Sequence, residues 1–185
     1  MSSMQSVVES RTSELGVLTT KTSQYPTVDE LVIIGYDPGL ASGVAAVAFT
    51  PGSDARVLFS AEEEWESSIT TVIALSLLYP QAMVAIEKYT ITIATAKKSQ
   101  QPYSLWCIGA VAWALGTQKM SSVIKLQTPA DAKRFTSNQQ LRTLGLWHRG
   151  GEGHANDALR HTVLAAARTG WVPPYDDLHE TDVLQ

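Results

Sequence analysis

Three carboxylates stand where an apolar interior does not favour them. Asp37 ends the run Leu31-Val-Ile-Ile-Gly-Tyr36 directly before Pro38-Gly39, and Glu87 ends Ala82-Met-Val-Ala-Ile86. Asp157 lies on the first turns of a segment built largely from Ala, Leu, Val and Thr. A carboxylate abutting a buried strand is poorly solvated unless it is paired or holds a cation. Clustered hard oxygen donors suit Mg2+ or Mn2+, which keep several waters and complete their shell from substrate phosphate. His154 precedes Asp157 by three residues and His161 follows it by four. On a helix these three project within an arc of roughly 60°, so His154 and Asp157 can face one site.

Each residue also has a plainer reading. An Asp before Pro-Gly is commonly a turn residue. Glu87 followed by Lys88 can be a strand-end ion pair, Asp157 suits a helix N-terminus, and His161 reads as a capped or solvated histidine. The combination is what points to a metal centre, provided the strands ending at Asp37 and Glu87 lie side by side.

The elements needed to position them are legible in the pattern. Leu31–Tyr36 reads as a buried central strand, Gly43–Phe49 as its return and Arg56–Phe59 as a third strand after the turn Pro51-Gly-Ser-Asp54, an antiparallel meander. A helix is expected over 67–79 with Ile69, Val72, Ile73, Ser76 and Leu77 on its apolar side, then the strand Ala82–Ile86. A second helix over 102–117 carries Leu105, Trp106, Ile108, Val111, Ala112 and Leu115, and Ser122–Leu126 is the fifth strand. Thr128-Pro129 opens a short helix as N-cap and first-turn proline, another covers 138–145, residues 150–153 form a loose glycine loop, and His154–Arg168 is the last helix. The expected fold is α/β and ribonuclease-H-like: a five-stranded mixed sheet, meander first and parallel strands after, flanked by helices.

The chain has 185 residues, 44% apolar and 17% charged, enough for one domain with a sizeable core. The expected division is a Ser/Thr-rich arm over 1–29, a folded domain over 30–170 and an acidic tail over 171–185. No apolar run approaches the ~20 residues that cross a bilayer, so no membrane partner is expected. Cys107, the one cysteine, allows neither an internal disulfide nor a cysteine-based zinc site, which favours a reducing cytoplasm. The net charge is −4, yet Lys97, Lys98, Lys119, Lys125, Lys133, Arg134, Arg142 and Arg149 crowd into 97–149 against a single acid, Asp131. Such segregation lets one face attract phosphates while the whole molecule stays acidic.

Ile33-Ile-Gly-Tyr-Asp-Pro-Gly-Leu-Ala-Ser-Gly43 resembles the first-strand motif of the RuvC-type Holliday junction resolvases. Val84-Ala-Ile-Glu87 is similar to that family's fourth-strand glutamate, and His154-Ala-Asn-Asp-Ala-Leu159 to its closing helix motif. The resemblance spans about 31–168 and implies a divalent-metal endonuclease acting on branched DNA as a homodimer, in a prokaryotic or phage-infected cell. Asp37, Glu87, His154 and Asp157 would be the catalytic and metal-binding set for two Mg2+ or Mn2+ ions. Water attack in line on the scissile phosphate would leave a 5′-phosphate and a 3′-hydroxyl. Lys125, Lys133 and Arg134 would grip the DNA backbone, and Tyr89, or Tyr103 in its place, would stack on an unpaired base. The competing readings are a fork or flap nuclease or ribonuclease H with the same metal site, a junction-binding protein that does not cut, and an actin- or hexokinase-like ATPase or kinase. The last lacks a second glycine-rich phosphate loop in this sequence.

Overall fold

The computed structural model describes residues 30–51, 55–90, 102–117 and 123–173. The strands are β1 (Leu31–Asp37), β2 (Ala41–Phe49), β3 (Ala55–Glu64), β4 (Met83–Glu87) and β5 (Ile124–Gln127). The helices are α1 (Trp65–Leu78), α2 (Tyr103–Thr117), α3 (Pro129–Phe135), α4 (Asn138–Thr143) and α5 (His154–Arg168). The strands form one sheet in the order β3-β2-β1-β4-β5. Antiparallel pairing joins β1 to β2 and β2 to β3, and parallel pairing joins β1 to β4 and β4 to β5. The expected mixed sheet is therefore present, and β1 and β4 are neighbours.

Alternation along the strands sorts the core into two layers. Ile33, Ala45, Val47, Phe49 and Ala85 pack under α5 with Leu159 and Val163, while Ile34, Tyr36, Val44, Val84 and Ile86 pack against Val72 of α1 and Cys107 and Val111 of α2. Trp171, beyond α5, is buried edge-on against Phe49 with ring centroids 4.9 Å apart. Thr128 caps α3 by accepting from the Asp131 N–H at 3.2 Å, and Ser137 and Gln140 form a reciprocal capping box on α4.

Three local expectations shift. β3 runs on to Glu64, so the acids Glu62–Glu64 lie on a strand paired with Ala41–Gly43. Leu77 is exposed while Ser68 and Leu75 are buried, and on α2 the buried stripe is Cys107, Val111, Ala114 and Leu115, leaving Leu105 and Trp106 exposed. Both helices carry apolar residues around their whole circumference, so periodicity alone does not select the packed face. The arm over 1–29, the tail from 174 onward, the turn residues 52–54, and Lys97, Lys98 and Lys119 lie outside the described residues. Among the described residues no helix is long and apolar enough to cross a membrane.

Candidate active site

The register explains why the acids meet. Tyr36 of β1 pairs with Ile86 of β4, so Asp37 and Glu87 follow at the same level on adjacent parallel strands. Asp37 shares the face of Ile33 and Gly35, and Glu87 that of Met83 and Ala85, which is the face covered by α5. The helix comes unusually close to the sheet there. A Cβ on Gly35 would stand 2.1 Å from the Ala158 carbonyl oxygen, and one on Gly43, the partner of Asp37 on β2, 1.9 Å from that of His154. Two glycines on neighbouring strands thus make a floor on which the first turns of α5 rest.

On that floor His154 Nδ1 lies 2.8 Å from Asp37 Oδ2. His161, fully buried one turn beyond Asp157, places Nε2 3.1 Å from Glu87 Oε2 and Nδ1 2.8 Å from the Gln127 side chain. Asp157 receives Lys133 Nζ at 3.0 Å and also the Arg160 guanidinium. Arg160, itself buried, further donates to the Thr136 carbonyl at 3.0 Å and to Asn138, tying α5 to the α3–α4 junction. Burial pushes the Asp37 carboxyl up; the His154 hydrogen bond opposes this, and the charges of Glu87 and Asp157 add to it. The hydrogen bond to Asp37 raises His154, with desolvation opposing and the charges of Asp37, Glu62 and Asp157 assisting.

Glu62 supplies what the glycine loop lacks. Its carboxylate accepts the backbone N–H groups of Glu152 and Gly153, each at 2.7 Å, and of Ala155 at 3.2 Å. It therefore serves from β3 as the cap that Gly153, with φ of 107° and no side chain, cannot provide for α5. The loop is held, not loose. Gly151, at φ 70°, holds a backbone conformation that other residues adopt only with strain, and a Cβ there would stand 2.3 Å from the Glu62 carboxylate and push it off its N–H donors. Desolvation would raise Glu62, but the three N–H donors and His154 prevail and its carboxyl is lowered from 4.5. Its stabilising contribution is thus complete above that value and lost as pH falls through the folded-state pKa. Glu62→Gln is expected to lower stability by about 1 kcal/mol at neutral pH. In paired denaturant titrations the gap between the two proteins should close below about pH 4.5, and a constant gap would contradict the charged cap.

The structure brings Asp37, Glu87, His154 and Asp157 to one end of the sheet, with Lys133 beside them. Lys125 on β5 and Arg134 on α3 are exposed, and no hydrogen bond or ion pair joins either to the cluster. Tyr89 is half-buried two residues past β4. Tyr103 belongs instead to an aromatic cluster with Trp65 and Trp106, at 5.8 and 5.4 Å. Glu87 turns to His161 and not to Lys88, and His161 is buried, neither capping nor solvated. Sequence reasoning missed Glu62, Gln127, Arg160 and the role of His161. A polar cleft of about 520 Å³ opens beside the cluster, lined by Lys133, Asn138, His148, Asp157, Arg160 and the 150–153 loop.

The donors fit a hard divalent cation in type, three carboxylates and an imidazole. They fit in electrostatics too: burial is the main cause that raises Asp37, the charges of Glu87 and Asp157 add to it, and a cation would offset both. Among the described residues, however, no three such side chains stand close enough together to hold one ion as they are now turned. Each faces its own partner, and Asp157 faces two cations.

No protein-family model matches this sequence, and no curated protein matches it. Solved structures do. Thermus thermophilus RuvC in complex with Holliday junction substrate is similar at 21% identity and a TM-score of 0.59, over 77% of this chain and 98% of that one. A second Thermus thermophilus RuvC structure is similar at 20% identity and a TM-score of 0.57, over 76% and 98%. With the mixed β3-β2-β1-β4-β5 sheet and its flanking helices, this chain has the RuvC-like form of the ribonuclease-H-like fold.

Proposed function

We propose that this chain is a divalent-metal-dependent endonuclease that hydrolyses phosphodiester bonds in branched DNA, four-way junctions foremost. The observation that carries the reading is the meeting of Asp37 and Glu87, at the carboxyl ends of two adjacent parallel strands, with Asp157 on the first turns of α5 above them. The likeness to a RuvC whose structure holds a Holliday junction supports the substrate class. Asp37, Glu87, Asp157 and His154 would hold Mg2+ or Mn2+, two ions in the full site. The bound cations supply Lewis-acid stabilisation of the phosphoryl oxygens and make water a better nucleophile at neutral pH.

The chain's own residues do the rest. Lys133, which reaches Asp157, is placed to exchange that carboxylate for a DNA phosphate when a cation takes its place, and Lys125 and Arg134 meet the backbone farther out. His154 orients the attacking water, and Tyr89 stacks on a base at the branch point. Two copies would make the paired nicks that resolve a junction in recombination, repair or phage DNA processing. Lys133→Ala is expected to weaken junction binding across sequences and to flatten the salt dependence by about one charge; an unaltered slope in binding titrations would remove Lys133 from the DNA interface.

The direct test is cleavage, in Mg2+ and in Mn2+, of a four-way junction beside a fork, a 5′ flap, plain duplex and an RNA–DNA hybrid. Paired symmetric nicks confined to the junction are expected. Cutting of fork, flap or hybrid with the junction spared would reassign the substrate. Junction binding without cutting in either metal would leave a binding protein.

A further inference from the structure

His161 is fully buried, unused by the chemistry above, and bridges two side chains that stand opposite each other in the sheet: Glu87 of β4 pairs with Gln127 of β5. The Gln127 amide decides which imidazole nitrogen carries the proton. Apart from the imidazole, its two neighbours belong to the backbone of α5, the His161 carbonyl and the Ala165 N–H. Only one orientation serves both. The amide nitrogen then donates to the His161 carbonyl at 3.2 Å, and the amide oxygen accepts from Ala165 at 3.3 Å. The reverse orientation sets nitrogen against N–H and oxygen against carbonyl.

In the satisfied orientation the amide nitrogen also lies 2.8 Å from His161 Nδ1 and donates to it. Nδ1 must therefore be the acceptor, which leaves the proton of the neutral ring on Nε2, 3.1 Å from Glu87 Oε2. We infer that His161 is a positioning residue, locked by Gln127 as its Nε2–H tautomer, which donates to Glu87 Oε2 and holds that carboxylate at the cluster. The reason for a neutral donor is electrostatic. An imidazolium would compete with a cation for the charge of Glu87, whereas a neutral N–H fixes one oxygen and leaves the charge available. Hydrogen bonding of this kind behind a ligand fixes its orientation. The tautomer stands on the local geometry alone, and the purpose given to it rests on the metal reading above.

Long-range 1H–15N spectra of the full-length protein, labelled in histidine, test the tautomer without any metal, the His161 signals being identified by their loss in His161→Gln. A protonated Nε2 and an unprotonated Nδ1 at neutral pH are expected; a protonated Nδ1 overturns the proposal. Calorimetric Mn2+ titration, in the absence of DNA, tests the purpose. His161→Leu, which removes the donor, is expected to bind Mn2+ about 10- to 100-fold more weakly. His161→Gln, whose amide can place an N–H near the same point, should recover most of that loss. Gln127→Leu, which frees the tautomer, should fall between them. Unchanged Mn2+ affinity in a folded His161→Leu protein, verified by circular dichroism, overturns the positioning role. Failure of the wild type to bind Mn2+ would instead strike the metal reading and, with it, the purpose assigned to His161, while the spectra still decide the tautomer.

Discussion

The Asp37→Asn protein should fold, cut nothing, and in chelator melt no lower than wild type. Asp37 is buried with two other carboxylates in its field, and its carboxyl is raised in consequence. A folded-state pKa above the unfolded one means that this group favours folding at low pH and loses that contribution as pH rises through the folded value. At neutral pH its charge therefore burdens the metal-free protein, and a neutral amide of the same shape removes the burden. The amide oxygen still accepts from His154, so the hydrogen bond at the site survives. A gain of about 1 kcal/mol, a few degrees in melting temperature, is the expected scale. Junction cleavage should fall by roughly 10³-fold or more, since about 4 kcal/mol of stabilisation passes through the cation ligands. Residual cutting near the wild-type rate would remove Asp37 from the chemistry, and a markedly lower melting temperature in chelator would show that its charge is structural.

A single methyl group on Gly43 should do nearly as much harm from outside the site. Its Cβ would lie 1.9 Å from the His154 carbonyl oxygen and 2.7 Å from the Ala155 amide nitrogen, and backbone on both sides leaves nothing flexible to move. Helix α5 must lift or tilt, so Gly43→Ala is expected to cost about 3 kcal/mol, or roughly 6–12 °C in melting temperature for a chain of this size. Because His154 and Asp157 ride on that helix, a displacement near 1 Å should also reduce cleavage about 10²-fold. Gly109→Ala is the matched control. It lies within α2 with nothing near its Cβ position, and alanine there should be neutral or stabilising by up to about 1 kcal/mol. Equal melting temperatures for the two alanine variants would show that α5 can yield without loss.

Why the sequence reveals some of this and not the rest follows from where each signal lies. Asp37 and Glu87 are legible because each closes an unbroken apolar strand, and a charge after such a run stands out against its neighbours. Helix α5 is legible to the residue because glycines bound it and its polar residues keep helical spacing. Glu62 is hidden by company: it sits among Glu63, Glu64 and Glu66, and only the pairing of Gly43 with Glu62 shows that it points at the start of α5. His161 is hidden for a different reason. Its partners, Glu87 and Gln127, lie 74 and 34 residues away, and no local pattern separates a histidine buried between strand ends from one facing solvent. The packed faces of α1 and α2 are hidden by excess, since apolar residues surround both helices and tertiary contact alone selects among them.

Cys107 offers a clock. It is the only thiol in the chain, fully buried between α2 and the sheet, and burial raises its thiol pKa. Both effects suppress attack on a disulfide reagent in the closed state. Labelling of the native protein must then wait for α2 to part from the layer it packs on, so the labelling rate at saturating reagent counts those openings. The same helix begins at the acidic turn, where Ser104 donates to the Pro38 carbonyl at 2.6 Å next to Asp37. One sulfur atom, on the opposite face of the sheet from the carboxylates, thereby times how often the scaffold beneath them comes apart.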